Sequence, residues 1–141
     1  MSASKLPRSF FDTNILIYAD DAASPSKQRI ALDLIKEHLR LRTGAVSLQI
    51  LQEYFVAAQR KLKLDSGFVR QKVEIYAQFH VAEPKLADIL AAIDYHRLNQ
   101  VSYWDALVVR MTKQAGCTVL LTEDMNHSQV IDGIRVVNPF L

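Results

Sequence analysis

The stretch Ser9-Phe10-Phe11-Asp12-Thr13-Asn14 decides the fold class of this 141-residue chain. It is a short apolar run that ends at an acid, and residues 117–122 form a similar run shortly before Asp124. Longer segments between the two carry apolar residues at helical spacing. Strands that alternate with helices favour a parallel sheet with helices on both faces. Ligands of such sheets bind beyond the carboxyl ends of the strands, so acids that follow strands are candidate functional residues.

Caps and periodicity predict the other elements. Ser24-Pro25, Ser47 and Ser102 each predict the start of a helix. The predicted strands are residues 9–11, 45–46, 80–82, 117–122 and 134–137. The first predicted helix opens at Ser24-Pro25 and fades before Gly44, and the second runs from the Ser47 cap to about Lys63. Further helices carry apolar residues over 68–79 and 86–93, and the last runs from the Ser102 cap to Gly116. The sequence therefore predicts one α/β domain over residues 1–141, without repeats or linkers.

Composition agrees with a globular domain. Hydrophobic residues make up 50% of the chain and charged residues 23%, with only 4 Gly and 4 Pro. The single cysteine, Cys117, excludes an internal disulfide framework and a Cys-rich metal site. The net charge of +2 is too small to indicate a dedicated nucleic-acid binder.

No membrane or targeting segment is expected. The longest apolar runs, such as Ile15 to Ala19, have five residues, whereas a membrane span needs about 20. The opening segment Met1 to Arg8 contains no long apolar stretch typical of a signal peptide. We expect a soluble, cytoplasmic protein.

Four acids are predicted to meet at one edge of the sheet. Asp12 and Asp124 follow strands, while Glu53 and Asp105 lie near the starts of helices. Helix starts and strand exits lie at the same end of a parallel α/β unit, so all four can converge on one cleft. Glu53 falls at the border of the apolar face of its helix, beside the small residue Ala57.

Each acid also has a simpler interpretation. Asp105, three residues after a cap serine, fits a capping box. Glu53 is compatible with a solvated helix position, Asp12 with the cap of a short helix, and Asp124 with a turn. For the neighbouring Glu123 we expect a side chain that points to solvent.

Clustered carboxylates would need protons or a cation. Two of them about 5 Å apart repel by roughly 3 kcal/mol at an effective dielectric constant of 20. Oxygen ligands without His or Cys favour Mg²⁺ or Mn²⁺ over zinc. A site of this kind can activate a water molecule and neutralise charge on a phosphodiester.

The acids lie in segments that carry a family resemblance. The segments are FFDTNILIYA (10–19), SLQILQE (47–53), SYWDAL (102–107) and LLTEDMNH (120–127), followed by DGIRVVNPF (132–140). Over nearly its whole length the chain resembles the PIN-domain ribonucleases, most closely the VapC-like toxins of toxin–antitoxin pairs.

The resemblance implies an α/β/α sandwich around a mainly parallel sheet of about five strands, usually dimeric. It also implies metal-dependent endonucleolytic cleavage of RNA, commonly in a tRNA or rRNA loop, that leaves a 3′ hydroxyl. Asp12 and Asp105 match the positions tied to Mg²⁺ or Mn²⁺, and Glu53 and Asp124 complete the acidic pocket. Asn14 and Thr122 match polar positions that orient the acids. A small separate antitoxin would insert a segment into the active-site groove.

Other classes fit less well. A haloacid-dehalogenase-like phosphatase needs a second Asp at the position of Asn14, and a receiver domain needs adjacent acids at the first strand and a late lysine. The non-enzymatic alternative is a catalytically silent PIN-like module that binds RNA or protein.

Several further residues have two interpretations each. Tyr103 and Trp104 can stack on a base, although we favour packing in the core or a dimer. His127 can contact substrate or simply occupy a turn. Cations on helix ends can form a phosphate-attracting rim or interact only with the helix dipoles; they are Arg40, Arg42, Arg60, Lys61 and Lys63.

Overall fold

A six-stranded sheet forms the centre of the domain in the computed structural model, which describes residues 6–141. The strands are β1 (Ser9–Phe11), β2 (Gly44–Ser47), β3 (His80–Ala82), β4 (Val119–Leu121), β5 (Val130–Ile131) and β6 (Ile134–Val137), in the order β3-β2-β1-β4-β6-β5. All neighbouring strands are parallel except β5 and β6. This confirms the predicted α/β fold with a mainly parallel sheet.

Within residues 6–141, six helices flank the sheet. They are α1 (Thr13–Ala19), α2 (Pro25–Leu41), α3 (Leu48–Leu62), α4 (Ser66–Tyr76), α5 (Leu86–Asn99) and α6 (Tyr103–Gln114). None of the helices within residues 6–141 is long and apolar enough to cross a membrane. The expected lack of a targeting signal concerns an opening segment of which Met1 to Lys5 lie outside the described residues.

The two central strands anchor the core. Every residue of β1 and β4 is buried, and Phe10, Phe11 and Leu120 are fully so. Phe11 stacks on Phe79 at 4.9 Å between ring centroids. Because β1 lies between β2 and β4, the residue that follows it emerges at the middle of the sheet edge.

Helix caps fix where the functional segments begin. The Ser47 hydroxyl accepts a hydrogen bond from Ile50 N at 3.2 Å, and the Ser102 hydroxyl accepts one from Asp105 N at 3.0 Å. Both predicted caps are therefore confirmed. Ser24 occupies the predicted cap position of α2 but makes no side-chain cap hydrogen bond, and Pro25 starts that helix.

Three local features confirm, extend or correct the sequence interpretation. The apolar run after Asp12 is helix α1, which buries Ile15 and Leu16, so the simpler expectation that Asp12 caps a short helix is confirmed. Strand β5 was not predicted; its two residues pair with β6 through a tight turn in which Asp132 and Gly133 have positive φ, as two-residue hairpins require. Strand β4 covers only the middle of the predicted 117–122.

Helix α5 presents its apolar residues outward. Leu86, Leu90 and Ile93 are exposed, whereas Asp88 and Tyr95 are buried. The periodicity predicted the helix correctly, but the buried face contains Asp88, which pairs with Arg110 of α6, together with Ala92 and Tyr95.

Candidate active site

The four predicted acids line one cavity of about 520 Å³ at the carboxyl edge of the sheet. Asp12 follows β1 directly, Asp124 lies in the loop after β4, Glu53 lies in the second turn of α3, and Asp105 lies in the first turn of α6. The four acids therefore converge on one cleft, as predicted.

Asp12 is the most buried of the four acids. Its Oδ1 accepts a hydrogen bond from Thr13 N at 2.8 Å and its Oδ2 accepts one from the Thr122 hydroxyl at 2.8 Å. Burial raises the pKa of Asp12 to about 6; these two hydrogen bonds act to lower it, and the charges of Asp124 and Asp105 raise it further. The site therefore holds a carboxyl group that a nearby cation would shift strongly toward ionisation.

Asp105 shares this electrostatic environment. Partial burial raises its pKa, a hydrogen bond with Ser102 acts in the opposite direction, and the charge of Asp124 adds to the increase. The Asp124 carboxylate thus acts on both Asp12 and Asp105, as expected of acids gathered around a place for a cation.

A hydrogen-bond network positions Asp124. The Asn14 side-chain amide donates to Asp124 Oδ2 at 2.9 Å and to the Thr122 hydroxyl at 3.2 Å, while its carbonyl oxygen accepts from Glu123 N at 3.1 Å. Thr122 accepts a further bond from Asp124 N at 3.1 Å and donates its single proton to Asp12. Asn14 and Thr122 thus have the geometry of the orienting role that the resemblance implies.

Thr13 links the first two acids, and sequence reasoning missed it. Its hydroxyl donates to Glu53 Oε1 at 3.0 Å, while its backbone N–H holds Asp12. The Gln49 amide donates to the other oxygen of Glu53 at 3.2 Å. The position of Gln49 one helical turn before Glu53 is the sequence signal that identifies this second contact.

Glu123 and Asp124 point to different places. The Tyr18 hydroxyl donates to Glu123 at 2.7 Å, and Lys27 forms an ion pair with the same carboxylate. The expectation that Glu123 points to solvent is therefore wrong, because this pair holds it, and Asp124 is the member of the two that lines the cavity.

Cations and one aromatic residue complete the wall. Arg60 and Lys61 at the end of α3 line the cavity, and so does Trp104, whose exposed fraction is 62%. Of the two packing alternatives for Trp104, the core is therefore wrong, and packing in a dimer stays a prediction. His127 has a structural contact, since its Nδ1 accepts a hydrogen bond from Asn138 N at 3.0 Å.

The donor chemistry of the cavity fits a magnesium-like ion. Within residues 6–141, no three His, Cys, Asp or Glu side chains stand close enough to form a ready-made metal cage. Mg²⁺ does not require one, since it binds through one or two carboxylates and keeps several waters. The charge of Asp124 raises the pKa of both Asp12 and Asp105, and carboxyl groups placed in this way are suited to such an ion.

Fold and site together define a class of protein: an open, mainly parallel α/β domain with carboxylates at the carboxyl edge of its sheet. Residues 9–132 match the family model of the PIN domain. The chain belongs to the PIN-domain family.

Solved structures share the fold. A chain of a toxin–antitoxin complex from Klebsiella pneumoniae is 22% identical with a TM-score of 0.67, covering 93% of this chain and 97% of that one. VapC20 of Mycobacterium tuberculosis, a sarcin–ricin loop cleaving toxin, is 14% identical with a TM-score of 0.59, covering 82% and 91%. No curated protein matches the chain.

Proposed function

We propose that this chain is a metal-dependent endoribonuclease and the toxin component of a toxin–antitoxin pair. The observation that carries the proposal is the single cavity lined by Asp12, Glu53, Asp105 and Asp124. The PIN-domain match supports nuclease activity, and the two similar structures, one from a toxin–antitoxin complex and one of an RNA-cleaving toxin, support the toxin role. A tRNA or rRNA substrate places the protein in the cytoplasm.

Asp12 and Asp105 would hold Mg²⁺ or Mn²⁺, with Glu53 and Asp124 completing the site. When bound, the ion would neutralise charge on the phosphodiester and make a water molecule more acidic. Thr122 and Thr13 keep both oxygens of Asp12 fixed, and the Asn14 amide holds Asp124. These contacts orient the acids before substrate arrives.

The walls of the cavity suit a polyanion. Arg60 and Lys61 lie in the last turn of α3 and line the same cavity as the acids. Their positive charges attract the RNA backbone, while the carboxylates alone would repel it. The ion and these two side chains together would turn an acidic cleft into a phosphate site.

The same cleft suits a basic inhibitor. We propose that a small antitoxin occupies it with an Arg or Lys, because a cation pairs with clustered acids and competes with the metal ion. Its guanidinium or ammonium group would meet Asp12 and Asp105, the two carboxyls with raised pKa values.

We assign a homodimer contact to the outer face of α5. Leu86, Leu90 and Ile93 are exposed there, and none of them lines the acidic cavity that the antitoxin would cover. An exposed apolar row of this kind marks an interaction surface. Tyr54 and Tyr76 are buried and pack edge to face inside the chain, whereas Phe55 on α3 and Phe68 on α4 are exposed and offer a second apolar surface.

The test is cleavage of total RNA by the purified full chain. We expect cleavage with Mg²⁺ or Mn²⁺, loss with EDTA, and recovery when metal is added back. Asp12→Asn is expected to be inactive, whereas the control Asp33→Asn, which changes an exposed acid on α2, keeps full activity. Undiminished cleavage in EDTA contradicts the metal mechanism, and no cleavage under any condition favours the catalytically silent module.

A further inference from the structure

Trp104 is the single tryptophan of the chain, and it is exposed. An indole normally buries a large apolar area, yet 62% of this residue is accessible to solvent. Its ring packs against Tyr103 edge to face, with 5.0 Å between centroids and an interplanar angle of 73°. The side chain is therefore supported on one side and open on the other.

The open side belongs to the acidic cavity. Trp104 precedes Asp105 in the first turn of α6 and lines the cavity together with that acid. Arg60 and Lys61 line the same cavity from α3. A flat apolar surface thus shares one cleft with carboxylates and two cations.

We propose that Trp104 stacks on an unpaired nucleobase beside the cleaved phosphate and so selects single-stranded RNA; this inference rests on the proposed nuclease function. A nucleotide combines a charged phosphate with a flat aromatic base, which matches the two surfaces of the cleft. Bases inside a duplex are already stacked, so only an unpaired or extruded base offers its face to the indole. Because every base has such a face, the contact selects strand form and tolerates different sequences.

A protein partner fits this position less well. The residues around the indole include Asp105, Asp124 and Arg60, so an apolar partner side chain placed on Trp104 would bring its neighbours against unscreened charge. A nucleotide suits both charge signs, because its phosphate would meet the cations and an ion that the acids would hold, while its base would meet the ring. Contact of Trp104 with protein alone is nevertheless one outcome of the test below.

The intrinsic fluorescence of the chain reports this contact directly, since Trp104 is its only tryptophan. The full chain is titrated with a short unstructured RNA in EDTA, which keeps RNA intact, and at low ionic strength, where Arg60 and Lys61 attract the strand most strongly. An abasic ribose-phosphate strand of equal length and a blunt RNA duplex serve as comparison ligands. Anisotropy of a label on each strand measures binding separately. We expect saturable quenching by the unstructured RNA, about tenfold weaker binding of the abasic strand without quenching, and no quenching by the duplex.

Variants separate stacking from folding. Trp104→Leu is expected to raise KM for single-stranded RNA about tenfold or more with kcat little changed, and Trp104→Phe to recover most of the loss. Val130→Ala, which truncates another exposed apolar residue, serves as the control and leaves KM unchanged. Thermal unfolding of all variants should stay close to wild type, because the substituted side chains are exposed.

The outcomes distinguish this inference from the proposed function. One outcome overturns the stacking role and leaves the nuclease function intact. In it, the wild-type chain cleaves RNA, the KM of Trp104→Leu is unchanged, and RNA does not change the tryptophan fluorescence of the wild-type chain. Fluorescence that responds to a protein partner and not to RNA also overturns it. If the wild-type chain cleaves no RNA with any metal, the proposed function fails first.

Discussion

Two buried aspartates in this molecule have opposite surroundings. Asp88 on α5 is 3% exposed and Asp12 after β1 is 8% exposed. Asp88 forms a salt bridge with Arg110 at 2.8 Å and accepts a hydrogen bond from Lys85 N at 2.9 Å. Burial acts to raise its pKa, but the hydrogen bonds from Lys85, Arg110 and Gln114 outweigh that effect and the pKa is lowered.

Asp12 receives only neutral donors. Two hydrogen bonds hold its oxygens, no salt bridge reaches it within the described part of the chain, and its charged neighbours are Asp105 and Asp124. Its pKa is therefore raised where that of Asp88 is lowered. Burial without an accompanying cation thus raises the pKa of a carboxyl group, and a perturbed acid in a cleft is a candidate functional residue.

The largest expected effect is the loss of cleavage in Asp12→Asn and in Asp105→Asn. Each substitution removes a charge that the metal needs and keeps the size of the side chain. Asn is as good a helix cap as Asp, so the start of α1 should survive. RNA cleavage measures the loss and circular dichroism the fold. Full activity in either variant would remove these residues from the site.

Asp88→Ala should have the opposite character, leaving chemistry intact and weakening the fold. The substitution removes the carboxylate that pairs with Arg110, and both side chains of this pair are largely buried. Breaking a buried pair costs about 3–5 kcal/mol. The free energy of unfolding in urea gives the value, and Asp94→Ala, an exposed acid on the same helix, is the control. A loss equal to that of the control would mean that the Asp88–Arg110 pair stabilises nothing.

Stability of the metal-free protein should fall as pH rises. Asp12 has a pKa of about 6 in the folded protein against 3.8 ordinarily, so between these values the folded state binds more protons than the unfolded chain. Stability is then expected to drop by about 3 kcal/mol from about pH 4 to pH 6 and level off above.

Urea unfolding in EDTA across that range measures the drop, and Asp12→Asn should flatten the curve. Added Mg²⁺ should restore stability above pH 6, since a bound ion stabilises the folded state. If the free energy of unfolding changes with pH by the same amount in the wild type and in Asp12→Asn, the assignment to Asp12 is contradicted.

Thr122→Val should give the smallest of these effects. It keeps the shape of a fully buried side chain and removes the donor to Asp12 and the acceptor for Asn14. Loss of such an orienting contact lowers metal affinity or activity by about 10- to 100-fold. Steady-state cleavage measures it, with Thr122→Ser as the matched variant that keeps the hydroxyl. Equal losses in both variants would point to packing instead.

Local sequence signals predicted most of the fold and the place of the acids. Apolar runs gave the strands β1, β2, β3, β4 and β6, and serines before periodic segments gave the starts of α3 and α6. Strand exits and helix starts then placed all four acids at one edge, since that follows from parallel topology alone.

Contacts between distant residues could not be predicted in this way. Lys27 and Glu123 are 96 positions apart, and their ion pair decides which of two adjacent acids faces the cavity. Asp88 and Arg110 likewise pair across α5 and α6, on the side of α5 opposite its exposed leucines. Periodicity describes one element at a time, so pairings across elements remain outside its reach.

Binding of Mn²⁺ to the RNA-free protein tests the central claim most directly, because it requires no substrate. Titration calorimetry near pH 7 is expected to show Mn²⁺ binding to the wild-type chain and to the control Asp33→Asn. Binding should be lost in Asp12→Asn and in Asp105→Asn. Equal Mn²⁺ affinity in all four proteins would contradict the claim that these carboxylates form the metal site.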